Sequence, residues 1–241
     1  MARCLAALER QTVAPASVEI VDDSQTDRGP AYSRNIGWRR GAASIVAFTD
    51  DDCVPSENWI ETIQKQFDSG DIGGIEGSVT TVTEGGFTSD MNPSPNDRWN
   101  RFKTANMAYR REILESVDGF DERYFIHRED TDLAWRVINS GYRIGWVPEC
   151  IVHHPDRGGV PRIAPKSEQL LYRCDPKKYV EVASYSVTFD SIRDGSWKRL
   201  RQEMKSRQGE DVEPLSFVES AFLWWRAVAK SGIRKLRFWR H

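Results

Sequence analysis

The chain has 241 residues, 39% hydrophobic and 29% charged, so it has enough apolar material for one large globular domain with an appendage and is not disordered. Its net charge of -2 gives no general case for nucleic-acid binding, and no apolar run reaches the ~20 residues of a membrane-spanning helix. Residues 215–241 hold six Lys/Arg against one Glu, so that stretch is basic and the remainder acidic. Cys4, Cys53, Cys150 and Cys174 show neither a CxxC nor a zinc spacing, and read as reduced thiols in a cytosolic protein.

In chain order, Cys4 to Arg10 is predicted as a helix ending before Pro15. Val18-Glu19-Ile20-Val21 reads as a strand running into Asp22-Asp23-Ser24, and Gly29 to Gly41 as a helix. Ile45 to Phe48 is a second strand, followed by Asp50-Asp51-Asp52. Ser56 to Phe67 is a helix capped by Ser56, with Trp59, Ile60, Ile63 and Phe67 on one face. This strand–helix rhythm predicts an α/β fold with a mostly parallel sheet flanked by helices. Ligands bind such sheets beyond the carboxyl ends of the strands, where both acidic clusters fall.

Ile75 to Val82 continues as a strand, and the polar stretch Glu84 to Asp97 as a loop. Thr104 to Tyr109 (strand), Arg111 to Val117 (helix) and Asp130 to Asn139 (helix, stopped at Gly141) follow. Tyr142 to Val147 and Cys150 to His153 read as two short strands. Lys166 to Tyr172 and Trp197 to Lys205 are expected helices. Residues 1–155 are thus expected as one α/β domain and residues 156–241 as a helical extension.

Three adjacent carboxylates at a strand end repel one another and destabilise the fold unless a cation lies among them. Oxygen ligands favour a hard ion such as Mg2+ or Mn2+, and such an ion favours a phosphorylated substrate. The alternative is an acidic turn that caps the next helix. The run Asp50-Asp51-Asp52-Cys53-Val54 also fits the DxDx(T/V) pattern of haloacid-dehalogenase-like phosphatases, with Asp50 as nucleophile and Asp52 as acid/base. That reading leaves VDDS and HREDTDL unexplained.

The ordered segments VDDSQTD, GPAYSRNIG, FTDDDCVP, TANMAYRRE, GFDER, HREDTDLAWRV and WVPECIVHH resemble glycosyltransferase family 2, inverting nucleotide-sugar enzymes of the GT-A fold, over Cys4 to Pro155. The resemblance implies transfer of a sugar from a nucleoside diphosphate sugar to the hydroxyl of a saccharide or lipid-linked acceptor. It implies that Asp23 binds the nucleobase, that Asp50 contacts the ribose or the metal, and that Asp52 holds the metal. Asp51 is able to replace either, because a run of three leaves the register open. Asp130 is implied as the catalytic base, with Glu129 and Asp132 crowding it so that its pKa rises. His154, six residues after Pro148, is implied as a metal ligand, with His153 as the alternative. Arg34, Asn35, Asn106 and Arg110 fall where the family places residues near the donor, and structural roles suit them equally well. Trp99, Phe102 and Trp135 receive no role.

Two features depart from the family pattern. The chain begins within the family's first helix, so the first strand, which helps hold the nucleotide, is expected to be missing, through a misassigned start, a fragment or degeneration into an inactive remnant. At the other end, Val218, Phe222, Trp225, Ala229, Ile233, Leu236 and Trp239 recur at helical spacing beside Arg226, Lys230, Arg234 and Arg237. Such a helix suits peripheral contact with an anionic membrane face, or packing on the catalytic domain or on a partner.

Overall fold

A computed structural model describes residues 1–68, 72–82, 88–90, 102–155, 165–175 and 178–179. The chain divides into two compact units, Met1–Ile163 and Ala164–His241. In the second unit the described helix is Pro165–Cys174, which contains the segment expected as a helix over Lys166 to Tyr172. The expected helix Trp197 to Lys205 and the basic amphipathic stretch lie outside the described residues. Among the described residues no helix is long and apolar enough to cross a membrane.

The first unit runs α1 (Ala2–Glu9), α2 (Pro30–Arg40), β1 (Ile45–Phe48), β2 (Val54–Pro55), α3 (Trp59–Asp68), β3 (Gly74–Val82), β4 (Thr88–Asp90), β5 (Met107–Arg110), α4 (Arg111–Ser116), α5 (Glu129–Asn139) and β6 (Ile144–Pro155). The sheet order is β1-β5-β3-β6-β2, with β4 paired to β3. β3 and β6 are parallel, while β1 with β5, β2 with β6, β3 with β4 and β3 with β5 are antiparallel. The α/β fold with its flanking helices is as predicted, but the sheet is mixed. The parallel rhythm read from the first 68 residues does not extend to the strands that follow it.

Several boundaries also differ. Val18 to Val21 forms no strand, and Val18 and Ile20 are exposed. Pleated apolar alternation is sufficient for a strand only when a neighbour supplies the ladder, and no described strand pairs there. The helix predicted from Ser56 begins at Trp59, because the Ser56 carbonyl accepts the Trp59 N–H in a preceding turn while its hydroxyl bonds Asn58 Oδ1. The loop expected over Glu84 to Asp97 contains β4, and its other residues lie outside the described set. Thr104–Asn106 is a 3-10 turn that delivers the chain into β5, not part of a strand. The two short strands expected after Gly141 are one twelve-residue strand, β6.

That merger has a visible cause. Gly77 of β3 pairs with Val147, but the next residue, Ser78, pairs with Ile151, so Pro148, Glu149 and Cys150 have no partner across β3. Bulges of this kind leave ladder groups unpaired and bend the strand. Asn106 bridges the gap: its Nδ2 donates to the carbonyls of Ser78 and Cys150, both at 2.8 Å, and its Oδ1 accepts the Trp59 indole N–H at 2.8 Å. A Cβ on Gly77 would lie 2.3 Å from the Cys150 carbonyl oxygen and 2.4 Å from Asn106 Nδ2, so the bracket needs glycine there. Around it Trp59, Ile63 and Phe67 of α3 pack on Ile75, Val79, Val147 and Val152.

Asn106→Ala removes the partners of two buried carbonyls and one indole N–H at once. At ~1 kcal/mol or more for each buried group left unsatisfied, the variant is expected to lose about 3 kcal/mol or more, read as a lower urea midpoint with unchanged slope. A loss under about 1 kcal/mol would mean that water replaces the amide and that the bracket is not structural.

Candidate active site

Two loops and two strand ends meet at one end of the sheet. The first loop is organised by Asp23. Its Oδ1 accepts the Thr26 hydroxyl and the Arg28 N–H (3.1 Å), and its Oδ2 accepts the Gly29 N–H at 2.7 Å. These bonds, that from Thr26 foremost, hold its carboxyl below the usual range. Asp23 therefore closes the turn that leads into α2. Gly29, at φ 88°, lies so close to the Phe125 carbonyl that a Cβ would sit 2.1 Å from its oxygen, which ties this loop to the segment before α5. Arg28 reinforces the tie through Glu122 at 2.9 Å.

The acidic run is a tight turn. The Cys53 N–H donates to the Asp50 carbonyl at 3.0 Å, and the alternation around the turn separates the three aspartates. Asp50 and Asp52 are 35% and 19% exposed, whereas Asp51 is 65% exposed and approaches the Met1 amino group at 3.8 Å. β2 follows at once and pairs Val54 with His153, which brings Asp52 alongside the end of β6. His154 Nε2 lies 4.0 Å from Asp52 Oδ1. His154 Nδ1 sits 2.7 Å from the Pro155 carbonyl, a partner that can only accept, so Nδ1 carries a proton, and in the neutral ring Nε2 presents its lone pair. His153, on the opposite face of the strand, is bonded to the Thr80 hydroxyl at 2.7 Å.

Asp50, Asp52, Cys53 and His154 can each offer one ligand atom with all four within 4.8 Å of one another. Two carboxylates and an imidazole in its metal-ready tautomer are a donor set that fits Mg2+ or Mn2+. Cys53 is the residue that sequence reasoning passed over. It was classed with the other buried thiols, although its place directly after the acidic run was the available signal. Burial, aided by Asp50 and Asp52, pushes its thiol up to about 12.

Arg34 on α2 joins this cluster to α5. Nη2 reaches Asp50 Oδ1 at 3.1 Å and Nη1 reaches Glu129 Oε1 at 2.6 Å. Glu129 is buried, and its Oε2 accepts no hydrogen bond among the described residues. α5 starts after His127 and Arg128, both left-handed at φ 68° and 74°, so the chain turns sharply to present Glu129 and Asp130 on the first turn. Asp130 has part of its surface in contact with solvent but is closely surrounded by protein. Burial first, and Glu129 second, raise its carboxyl to about 6 against the opposing pull of Arg34 and the Thr131 N–H (2.7 Å). Asp132, expected to add to this crowding, is turned away. It accepts Arg136 Nε at 2.8 Å and the Tyr124 hydroxyl at 3.1 Å, and Arg136 in turn binds the carbonyls of Val117 and Gly119.

The remaining predicted residues stand behind the site. Asn35 Nδ2 donates to the Phe120 carbonyl and to Glu122, and its Oδ1 receives the Phe120 N–H. Asn106 is buried within the bulge bracket, and Arg110 donates to the carbonyls of Ile72 and Phe67.

An acidic turn at a strand end, a histidine opposite it and an acidic helix start thus lie together on a mixed α/β sheet, in line with the GT-A fold expected from sequence. Residues 20–124 match the family model described as Glycosyl transferase family 2. Over that span, somewhat under half of its length, the chain is similar to glycosyltransferase family 2. The matched span includes Asp23, Arg34 and Asp50 to Asp52 and stops short of Asp130 and His154. The chain is 27% identical over 146 residues to a pre-mycofactocin glycosyltransferase of Mycobacterium tuberculosis, covering 54% of this chain and 31% of that protein. It is 28% identical over 187 residues to the O-antigen chain rhamnosyltransferase WbaN of Salmonella anatum, covering 61% and 59%. The chain thus spans about one third to three fifths of the length of these relatives. Its fold is similar to that of S. aureus TarS 1-349 in complex with UDP, with a TM-score of 0.60, 13% identity and coverage of 85% of this chain and 74% of that one.

Removing the Arg34 side chain leaves buried Glu129 without its cation. Arg34→Leu is expected to lose about 2–4 kcal/mol in chemical denaturation at pH 7, and Glu129→Gln in that background to recover part of the loss. Equal losses in the single and double variants would show that the pair is not coupled.

Proposed function

We propose that this chain transfers a sugar from a nucleoside diphosphate sugar to an acceptor hydroxyl with inversion, in a metal-dependent reaction. The observation that carries the proposal is the Arg34 bridge, which holds a metal-type donor cluster and a carboxylate with a raised pKa in one connected site. Asp50, Asp52 and His154 would hold a divalent ion, Mn2+ or Mg2+. Such an ion supplies neutralisation of the charge that collects on the departing diphosphate.

Asp130 acts as the base. It accepts the proton of the acceptor hydroxyl while that oxygen attacks the anomeric carbon from the face opposite the leaving group. A carboxyl titrating near 6 is ionised at neutral pH yet basic enough to take a proton in the transition state. Glu129 Oε2 is available to a substrate hydroxyl, and Arg34 opposes the rise of the Asp130 carboxyl. The Asp23 loop borders the donor and its aspartate contributes to nucleobase binding, while Asp51 is left to the solvent side of the turn. Asn106 supports the site through the bulge of β6. The relatives that this chain resembles include a rhamnosyltransferase of an O-antigen chain, in line with a saccharide or lipid-linked acceptor.

Asp130→Asn is the test that separates chemistry from folding. Transfer or hydrolysis of a radiolabelled nucleotide sugar is expected to fall by about a thousandfold or more. The stability of the metal-free variant should move the other way. The wild-type carboxyl is raised in the folded state, so folding favours its protonated form. Wild-type stability therefore falls as pH rises from about 4 to about 6, and the neutral amide escapes that loss. The variant is expected to match wild type near pH 4 and to exceed it by about 1–3 kcal/mol above pH 6. Activity within about tenfold of wild type would remove Asp130 as the base.

A further inference from the structure

Cys53 is the one member of the cluster that the proposed transfer does not use. Its sulfur is fully buried and shares the site with a carboxylate pair and an imidazole, three kinds of donor within 4.8 Å of one another. We propose that Cys53 is a direct ligand when a thiophilic divalent ion such as Zn2+, Cd2+ or Co2+ occupies this site. The cluster then offers a hard face, Asp50 and Asp52, and a soft face, Cys53 and His154, to a single ion position. The proposal rests on the reading of Asp50, Asp52 and His154 as a metal site.

Geometry and chemistry both support it. A tetrahedral ion with bonds of about 2.0–2.3 Å holds its donors roughly 3.3–3.8 Å apart, so the widest pair in the cluster needs to close by about 1 Å. The hinge for that movement is short: Cys53 follows the Asp50 turn directly and precedes β2, whose pairing with β6 fixes the distance to His154. Cys53 itself has no solvent-exposed surface. A hard ion has little affinity for sulfur and leaves the thiol protonated. A soft ion forms a metal–sulfur bond as the S–H bond breaks, and the proton passes to solvent. The alternative is that Cys53 serves only as a small apolar residue against Trp59 and Val152 in the core.

The experiment uses the full chain, stripped with chelator and titrated with Co2+ while near-ultraviolet absorption and binding heat are followed together. Wild type is expected to develop a sulfur-to-cobalt charge-transfer band that saturates with one ion. Cys53→Ser is expected to lose the band and to bind Cd2+ about 100-fold more weakly, while its affinity for Mg2+ stays within about twofold. Cys4→Ser, Cys150→Ser and Cys174→Ser should each keep the band, which assigns the sulfur even if Cys53→Ser fails to fold. Saturating Co2+ binding without the band would overturn the sulfur ligand and leave the metal site standing. Absence of any Co2+ binding would overturn both.

Discussion

Every charged part of this site depends on how its carboxylates are kept apart and compensated. Asp50, Asp52, Glu129 and Asp130 come from two elements far apart in sequence, and one guanidinium, that of Arg34, spans the gap. Its planar fork suits two carboxylates at once, which a lysine ammonium on a flexible stem does less well. Desolvation opposes its charge, but Asp50, Glu129 and Asp130 more than restore it. The arrangement fixes the turn after β1 relative to the first turn of α5, and so fixes Asp130 relative to the Asp50–Asp52 turn.

The second constraint is in the backbone. A wide bulge in β6 lets one long strand serve two purposes: it stays in register with β3 on both sides while its end swings His154 toward Asp52. Such an irregularity would be costly if its carbonyls were left unpaired. Asn106, Gly77 and Trp59 supply the fit and the hydrogen bonds, so core packing and site geometry share the same residues. A change at Asn106 is thus expected to act on activity through the position of His154, not through contact with substrate.

Much of this was legible in the sequence, because the site residues sit in short motifs at the ends of well-patterned elements. α2, β1, β3, α4 and α5 fall within a residue or so of their predicted spans. The failures share a physical origin in long-range partners. Val18 to Val21 alternates as a strand should, yet a ladder needs a neighbour, which periodicity within one segment does not reveal. Pro148 looked like a break between two strands because a bulge bridged by a side chain forty-odd residues earlier leaves no local signal. The register of the aspartate run was open in sequence; the turn leaves Asp51 exposed and sets Asp50 and Asp52 beside His154. Asp132 looked equivalent to Glu129, but its helical position commits it to Arg136.

The central claim is that the acidic turn and His154 form a site for a divalent ion and the diphosphate of a nucleotide donor. Calorimetric titration of the full chain with UDP, GDP and dTDP, each with and without Mn2+, tests it most directly. The account predicts that at least one nucleotide binds only when the ion is present and that Asp52→Ala abolishes the binding. Binding of equal strength without the ion, or unchanged in Asp52→Ala, would contradict it.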